Sequence, residues 1–163
     1  TPVAFLFFLV ICESNFIHMF RPILMLCVFF LSTVYHNDSH AGIKKFSAPN
    51  FSGVYSCTGN DASEGAYTAT VRLDLDYRHS QSNFGAYRFV LEVPGYGTYP
   101  GHAASEGQVM AIHFANTDPS TKDYGTGIAK FKKNNKGKWS FRKYYFEPEF
   151  KGGNFGFETC TQL

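Results

Sequence analysis

The sequence predicts an all-β domain: an antiparallel up-and-down meander of seven or eight strands, closed into a small barrel with one disulfide. Three observations lead to this prediction. Apolar and polar residues alternate in several runs, turn-forming residues separate the runs, and no segment of residues 42–163 has the period of an amphipathic helix. A two-sheet β-sandwich is the alternative. Closure into a barrel is favoured because it leaves no exposed sheet edge.

The clearest strand runs from Tyr67 to Tyr77. One face is predicted to carry Tyr67, Ala69, Val71, Leu73, Leu75 and Tyr77. The other face carries Thr68, Thr70, Arg72, Asp74 and Asp76. An exact period of two indicates one face in a core and one in water.

The other strands have weaker patterns. They are predicted at 52–58, 86–93, 97–104, 108–115, 125–133, 138–146 and 155–161. Pro100 restricts the strand at 97–104 to a sheet edge or a bulge, since proline has no N–H for the ladder. Turn signals separate the strands, among them Gly59-Asn60-Asp61, Pro94-Gly95 and Gly152-Gly153. Short connections without a helical crossover favour antiparallel neighbours.

Residues 1–41 differ in composition from the rest of the chain. Up to Tyr35 they contain two charged residues and many large apolar ones. With Met19 as the expected start, the apolar run from Ile23 to Leu31 has the layout of an export signal that is cleaved after Ala41. A signal anchor is the competing interpretation. We therefore expect a secreted or periplasmic protein that is not held in a membrane once the signal is removed.

Removal of that region leaves a single predicted domain, residues 42–163, with two cysteines, Cys57 and Cys160. An even pair in an exported protein is most simply a disulfide. In a closed barrel the bond joins the first strand to the last, which are neighbours. The alternative is that Cys57 is a nucleophile, which requires a reduced thiol and a histidine base.

The strand order resembles that of the calycin group, which includes lipocalins and avidin-like barrels. Gly53-Val54-Tyr55 on the first strand resembles the Gly-x-Trp opening of those families, with Tyr where Trp is usual. Arg142 matches the basic residue that lipocalins pair with that aromatic. The resemblance covers most of residues 52–161, in pattern more than in identity. It implies an up-and-down barrel with an open end that holds a small ligand.

Aromatic residues make up 18% of the chain, which is high. Inward-facing rings and hydroxyl groups are typical of ligand pockets, although they also pack barrel interiors. The leading hypothesis is an exported, non-enzymatic barrel that binds a small, partly apolar ligand. The predicted ligand-binding residues are Tyr67, Val71, Tyr87, Phe89, Trp139, Phe141 and Tyr145. The alternative is a protein-interaction or inhibitor module with a packed barrel and binding loops.

Other function classes find little support in the sequence. No nucleotide-binding loop or nucleophile elbow is present, so no enzyme activity and no cofactor are predicted. The net charge of +2 is too small to indicate nucleic acid. His79, His102 and His113 occur singly, so no metal site is predicted, and His113 is expected in the core or the barrel wall with a hydrogen-bond partner.

The segment Glu147-Pro148-Glu149 has two interpretations. Two carboxylates at this spacing in an extended chain point the same way, which indicates a solvated pair on a rigid turn. The functional alternative is that this acidic segment and its aromatic neighbours form part of the barrel mouth.

Overall fold

Eight antiparallel strands follow one another around a closed barrel. The computed structural model describes Gly42 and residues 44–163. The strands are β1 (Gly53–Asp61), β2 (Gly65–Leu75), β3 (Phe84–Val93), β4 (Gly97–Glu106), β5 (Val109–Ala115), β6 (Tyr124–Lys133), β7 (Trp139–Glu147) and β8 (Asn154–Gln162). Each strand pairs with its sequence neighbours, and β8 returns to pair with β1. The predicted meander barrel is confirmed, and the sandwich is not formed.

Buried and exposed positions alternate along β2 as predicted. The strand nevertheless ends at Leu75, earlier than expected. The Asp76 carboxylate accepts a hydrogen bond from the backbone N–H of Arg78 at 3.0 Å and so begins a 3-10 turn. Tyr77 lies in that turn, where its side chain is exposed instead of continuing the inner face.

β4 contains a proline in its interior. β3 pairs along the whole of β4 and places Val90 opposite Pro100, whereas β5 pairs with β4 from Gly101 onward. Pro100 therefore lies where β4 has a strand neighbour on one side, which is the position proline tolerates. The predicted edge position is confirmed locally, within a strand that is otherwise paired on both sides.

The disulfide lies at the closure of the barrel. The β1–β8 register places Cys57 directly opposite Cys160, with the Cα atoms 4.1 Å apart and the sulfurs bonded at 2.07 Å. Both side chains are buried. The predicted disulfide between the first and last strands is therefore confirmed. The nucleophile interpretation of Cys57 is wrong for this state, because the sulfur is already bonded.

One end of the barrel, where β1 begins, is filled by rings, and we call it the aromatic end. Phe51 precedes β1 and stacks on Phe131 with ring centroids 4.1 Å apart, and it meets Trp139 edge-on at 4.9 Å. The Tyr55 hydroxyl donates to the Phe51 carbonyl oxygen at 2.7 Å. The Phe51 N–H donates to the Tyr87 hydroxyl at 3.3 Å. These bonds hold Phe51 as a plug, so the interior is packed here.

Arg142 does not make the contact that the calycin resemblance implies. Its side chain is exposed, and its guanidinium lies 4.7 Å from the centre of the Phe157 ring. Tyr55 is fully buried inside the barrel, where its ring lies 5.3 Å from that of Phe141. The reason is the strand period: Arg142 lies between the inward-facing Phe141 and Lys143, and therefore faces out.

Helical structure in the described part of the chain is limited to three 3-10 turns. They are Tyr77–His79, Pro119–Thr121 and Phe150–Gly152. Within Gly42 and residues 44–163, no helix is long and apolar enough to cross a membrane. The predicted export region, residues 1–41, lies outside the described residues.

Replacing both cysteines, Cys57→Ser and Cys160→Ser, is expected to lower the free energy of unfolding by about 2–4 kcal/mol. The disulfide joins residues with a sequence separation of 103, so it strongly restricts the unfolded chain. Urea unfolding of the oxidised wild type and of the double variant measures the difference. Reduced wild-type protein is the control and should unfold like the variant. Equal stability of all three forms would contradict a stabilising role for the bond.

Candidate ligand site at the acidic end of the barrel

The barrel end where β1 terminates contains a cavity of about 50 Å³. We call it the acidic cavity. Its walls are formed by Asp61, Glu64, Tyr67, Leu91, Val93, Tyr96, Tyr99, Phe114, Asp123, Lys143, Tyr145, Glu147 and Phe150. A void of this size accepts a few water molecules or one small chemical group. Drug-sized ligands occupy pockets of roughly 300–1,000 Å³, so most of this barrel's interior is filled.

Two glycines make room for tyrosines of the acidic cavity. Gly59 lies opposite Tyr67 on the neighbouring strand, and a Cβ there would be 2.1 Å from ring atom Cζ. Gly156 lies opposite Tyr145, and a Cβ there would be 2.2 Å from the hydroxyl oxygen. Each ring thus covers a glycine, where a larger side chain would clash. The predicted turn at Gly59–Asp61 is wrong: these residues end β1, and the glycine serves packing.

Asp61 organises the turn that follows β1. Its Oδ1 accepts hydrogen bonds from the N–H groups of Ser63 and Glu64 at 2.8 and 2.9 Å. Its Oδ2 accepts from the Tyr145 hydroxyl at 2.8 Å and from Asn154 Nδ2 at 2.7 Å. Burial raises the pKa of Asp61, but the four hydrogen bonds outweigh burial and leave the pKa below its usual value. Asp61 is therefore a charged anchor whose oxygens are already engaged.

Glu147 ends β7 and is also buried. Asn154 Nδ2 donates to Glu147 Oε2 at 2.7 Å and so bridges it to Asp61. Burial raises the pKa of Glu147 to about 7; the bond from Asn154 opposes this effect, and the charges of Asp123 and Asp61 add to it. Glu147 therefore changes its protonation state near neutral pH.

Asp123 directly precedes β6 and is the third buried carboxyl group of the cavity. Its Oδ2 accepts a hydrogen bond from the Tyr99 hydroxyl at 2.7 Å. Its Oδ1 is buried and accepts no hydrogen bond from the described residues. Burial raises the pKa of Asp123, and the hydrogen bond from Tyr99 opposes this effect.

Deeper in the barrel, a buried ion pair separates the acidic cavity from the core. Lys143 Nζ lies 3.1 Å from Glu158 Oε1, and the Tyr67 hydroxyl donates to Glu158 Oε2 at 3.0 Å. The same ammonium lies 5.4 Å from the ring centres of Phe114 and Tyr145. The charge of Lys143 is therefore neutralised by Glu158 and further stabilised by the faces of the rings.

The seven residues predicted to bind a ligand all lie on the inner side of the barrel. Tyr67 and Tyr145 line the acidic cavity. The other five are packed in the core and at the aromatic end, and they are Val71, Tyr87, Phe89, Trp139 and Phe141. The pattern of inward positions therefore located the interior of the barrel, but it did not distinguish the filled end from the end with a cavity.

Glu147 and Glu149 do not form the predicted solvated pair. The alternation of β7 continues from Phe141 to Glu147 and turns Glu147 inward. Pro148 follows the strand, and Glu149 directly precedes a 3-10 turn, where its carboxylate accepts a hydrogen bond from the Tyr124 hydroxyl at 2.6 Å. The alternative, in which this segment contributes to the barrel mouth, is the one the structure supports. Extending the alternation of β7 by one inward position would have identified Glu147.

The described histidines lie away from the acidic cavity. His102 and His113 are opposite each other on β4 and β5, with both side chains exposed on the outer wall. The His79 Nδ1 atom lies 2.9 Å from the Asp76 carboxylate at the surface. The wall position predicted for His113 is confirmed, but its side chain faces out and makes no hydrogen bond with a described residue. None of these histidines hydrogen-bonds a carboxyl group of the cavity.

Comparison with known proteins yields a structural likeness but no family. No family model matches the chain, and no curated protein matches it significantly. Among solved structures, the chain is similar to one described as "Structure of EF1p2_mFAP2b bound to DFHBI", with 10% identity and a TM-score of 0.46. The match covers 69% of this chain and 94% of that chain. The assignment of a small barrel rests on the strand pairing of this chain itself.

Glu147→Gln is expected to flatten the pH dependence of stability. The pKa of Glu147 rises from 4.5 to about 7 on folding, so in this window the folded state keeps a proton that the unfolded state has lost. The contribution of Glu147 to the free energy of unfolding, at most about 3 kcal/mol, is fully present below the unfolded pKa. It is lost as the pH rises through about 7. Urea unfolding at about pH 5 and about pH 8 measures it.

Glu149→Gln is the matched control, because the Glu149 carboxyl group is exposed. The control should keep the wild-type difference in stability between the two pH values. An unchanged difference in Glu147→Gln would show that Glu147 does not titrate in this range.

Proposed function

We propose that residues 42–163 form an exported, non-enzymatic, calycin-like barrel that binds one small, partly apolar molecule through the acidic cavity. The proposal rests on the cavity and on Asp123 Oδ1, a buried acceptor without a partner among the described residues. Buried polar atoms are almost always hydrogen-bonded, so an unfilled acceptor at the wall of a void favours a bound group there. Rings on the same walls favour an apolar portion of the ligand.

The volume of the cavity limits what is buried. About 50 Å³ accommodates the end group of a molecule rather than a whole drug-sized ligand. The remainder of the ligand would lie at the rim, where Glu64, Tyr96 and Phe150 are exposed or half-buried. Glu64 accepts a hydrogen bond from the Tyr96 hydroxyl at 3.2 Å and pairs with Lys151. These contacts connect three loops at the rim.

Binding fits the cavity better than catalysis does. Paired carboxyl groups with raised pKa values also occur in acid–base catalysis. A reacting substrate must then fit between them, and a cavity of about 50 Å³ holds only a small chemical group. The buried disulfide supports an oxidising compartment, in agreement with the export signal expected from the sequence.

A cavity-filling substitution tests the site. A fragment library with neutral, anionic and cationic members is screened by the changes it causes in amide NMR shifts. Val93 lines the cavity, so Val93→Phe should weaken every wild-type hit by about tenfold or more. Val90→Phe, on the outward side of the same strand, should not. If no fragment shifts the amides around the cavity, or if Val93→Phe binds as the wild type does, the proposed function fails.

An exposed apolar face favours a second candidate function, protein interaction. Outer faces of antiparallel barrels are normally polar, yet β6, β7 and β8 present large apolar side chains outward. They are Ile128, Tyr144, Phe146, Phe155 and Phe157, each more than two-fifths exposed. Tyr144 is opposite both Ile128 and Phe157, and its ring lies 5.4 Å from that of Phe157. Such a continuous patch suits a second copy of the chain, since two sheets can pack face to face and a two-fold dimer uses the same patch of both copies.

Sedimentation velocity tests the second candidate. The wild type should form a dimer whose dissociation constant rises by about tenfold or more in Phe157→Thr, because an aromatic anchor is lost. Phe84→Thr is the control, since Phe84 is an even more exposed ring on β3, outside the patch. A wild type that stays monomeric at high concentration would remove this candidate.

A further inference from the structure

The acidic cavity has an excess of negative charge. Asp61, Asp123 and Glu147 are buried there, and none of them lies within ion-pair distance of a basic side chain in the described part of the chain. Lys143 also lines the cavity, but it is paired with Glu158. A ligand that carries positive charge would offset this excess.

The hydroxyl and amide donors around the cavity already donate to carboxyl groups. The Tyr99 hydroxyl donates to Asp123, the Tyr145 hydroxyl to Asp61, and the Tyr67 hydroxyl to Glu158. Asn154 Nδ2 donates to two carboxylates. Asp123 Oδ1 still has no partner among the described residues. Lys143 Nζ also has no hydrogen-bond partner there, but its charge is balanced by Glu158. A ligand group that donates hydrogen bonds therefore matches the free acceptor on Asp123.

The walls favour an organic cation over a metal ion. Divalent ions such as Ca²⁺ require six or more oxygen ligands drawn together around one point. Among the described residues, the one group of three closely spaced potential metal ligands is Cys57, Glu158 and Cys160, and its sulfurs are bonded to each other. The acidic cavity instead places rings beside its carboxyl groups, namely Tyr99, Phe114 and Tyr145. Ring faces attract ammonium groups.

We infer that the acidic cavity binds the protonated amino group of a small organic amine at Asp123 and Glu147, with the carbon chain along the rings toward Tyr96 and Phe150. This inference rests on the proposed function and names the chemical class of its ligand. The ammonium donates hydrogen bonds to Asp123 Oδ1 and to Glu147.

Binding is therefore coupled to the protonation of Glu147. Burial raises its pKa to about 7, the hydrogen bond from Asn154 on β8 opposes this effect, and the charges of Asp123 before β6 and Asp61 on β1 add to it. The other titratable groups on the cavity walls are Glu64, Tyr67 on β2, Tyr96, Tyr99 on β4, and Lys143 and Tyr145 on β7. As the pH rises through this value, Glu147 ionises and the affinity for a cation increases. Below it, the amine must displace a proton and binds more weakly.

The test compares three probes of equal length on the whole protein: propylammonium, the neutral 1-propanol and the anionic propionate. Affinities are measured by NMR titration at about pH 6 and about pH 8. Propylammonium should bind about tenfold more tightly than 1-propanol, since it adds charged hydrogen bonds. Its affinity should increase several-fold, about three- to tenfold, between the two pH values.

Two variants locate the effect. Asp123→Asn and Glu147→Gln should each lower propylammonium affinity by about tenfold. Glu147→Gln should also remove the pH dependence. Asp74→Asn, at an exposed acid on the outer wall, is the control and should bind as the wild type does. If a variant fails to fold, the probe and pH comparisons on the wild type decide the matter alone.

The outcomes separate the inference from the function on which it rests. If 1-propanol or propionate binds the cavity as tightly as propylammonium, the barrel binds ligands but the amine inference is overturned. Tighter binding of Ca²⁺, or loss of propylammonium when Ca²⁺ is added, overturns it in favour of a metal site. If none of these probes and no library fragment binds, the proposed function fails, and the inference fails with it.

Discussion

Backbone pairing between β1 and β8 brings together residues that are far apart in the sequence. In an open meander these strands would lie at opposite edges. In the closed barrel Asp61 lies opposite Gly156, two positions from Asn154, and Asn154 lies opposite Glu147 on β7. The acidic cavity is therefore a product of closure. The Cys57–Cys160 bond joins the same pair of strands. Barrel closure and the positions of the carboxyl groups therefore both depend on the pairing of β1 with β8.

Closure also divides the interior into two unlike halves. At the aromatic end the rings of Phe51 and Phe131 stack, and burial of apolar area stabilises the fold without burying a charge. At the other end Lys143 and Glu158 are buried as an ion pair. Desolvation of two charges offsets much of their attraction, so such a pair contributes little net stability. The aromatic half therefore provides most of the stability that supports the polar half.

The sequence predicted the barrel better than the cavity, and the strand period explains why. Alternation identifies which side chains face inward, so Val71, Phe141 and Tyr145 were placed correctly on the inner side. The alternation does not show which end of the barrel is filled by side chains and which end contains a cavity. Gly59 is an example: glycine before Asn60-Asp61 suggested a turn, whereas its role depends on the Tyr67 ring of the next strand. This contact can be inferred only when the register between β1 and β2 is known.

The charged residues were harder to predict for a related reason. Acidic residues are usually exposed, so Glu147 beside Pro148 and Glu149 was interpreted as solvated. Its burial depends on Asn154, which supplies a hydrogen bond from the neighbouring strand. Asp123 follows Lys122 after a 3-10 turn and has no local pattern that distinguishes it from a loop residue. Its partner, Tyr99, is 24 residues away in the sequence and meets it through the barrel end.

The acidic cavity costs stability, and this cost supports a role in binding. Burial raises the pKa values of Glu147 and Asp123, which means that ionising either group works against the folded state. Asp123 Oδ1 adds the cost of an unpaired buried acceptor. A barrel selected for stability alone would gain from apolar residues at these positions, as the aromatic end demonstrates. The presence of the carboxyl groups is explained if a cationic ligand offsets this cost. A bound cation would donate to the unpaired acceptor and neutralise buried negative charge, so binding would stabilise the folded state.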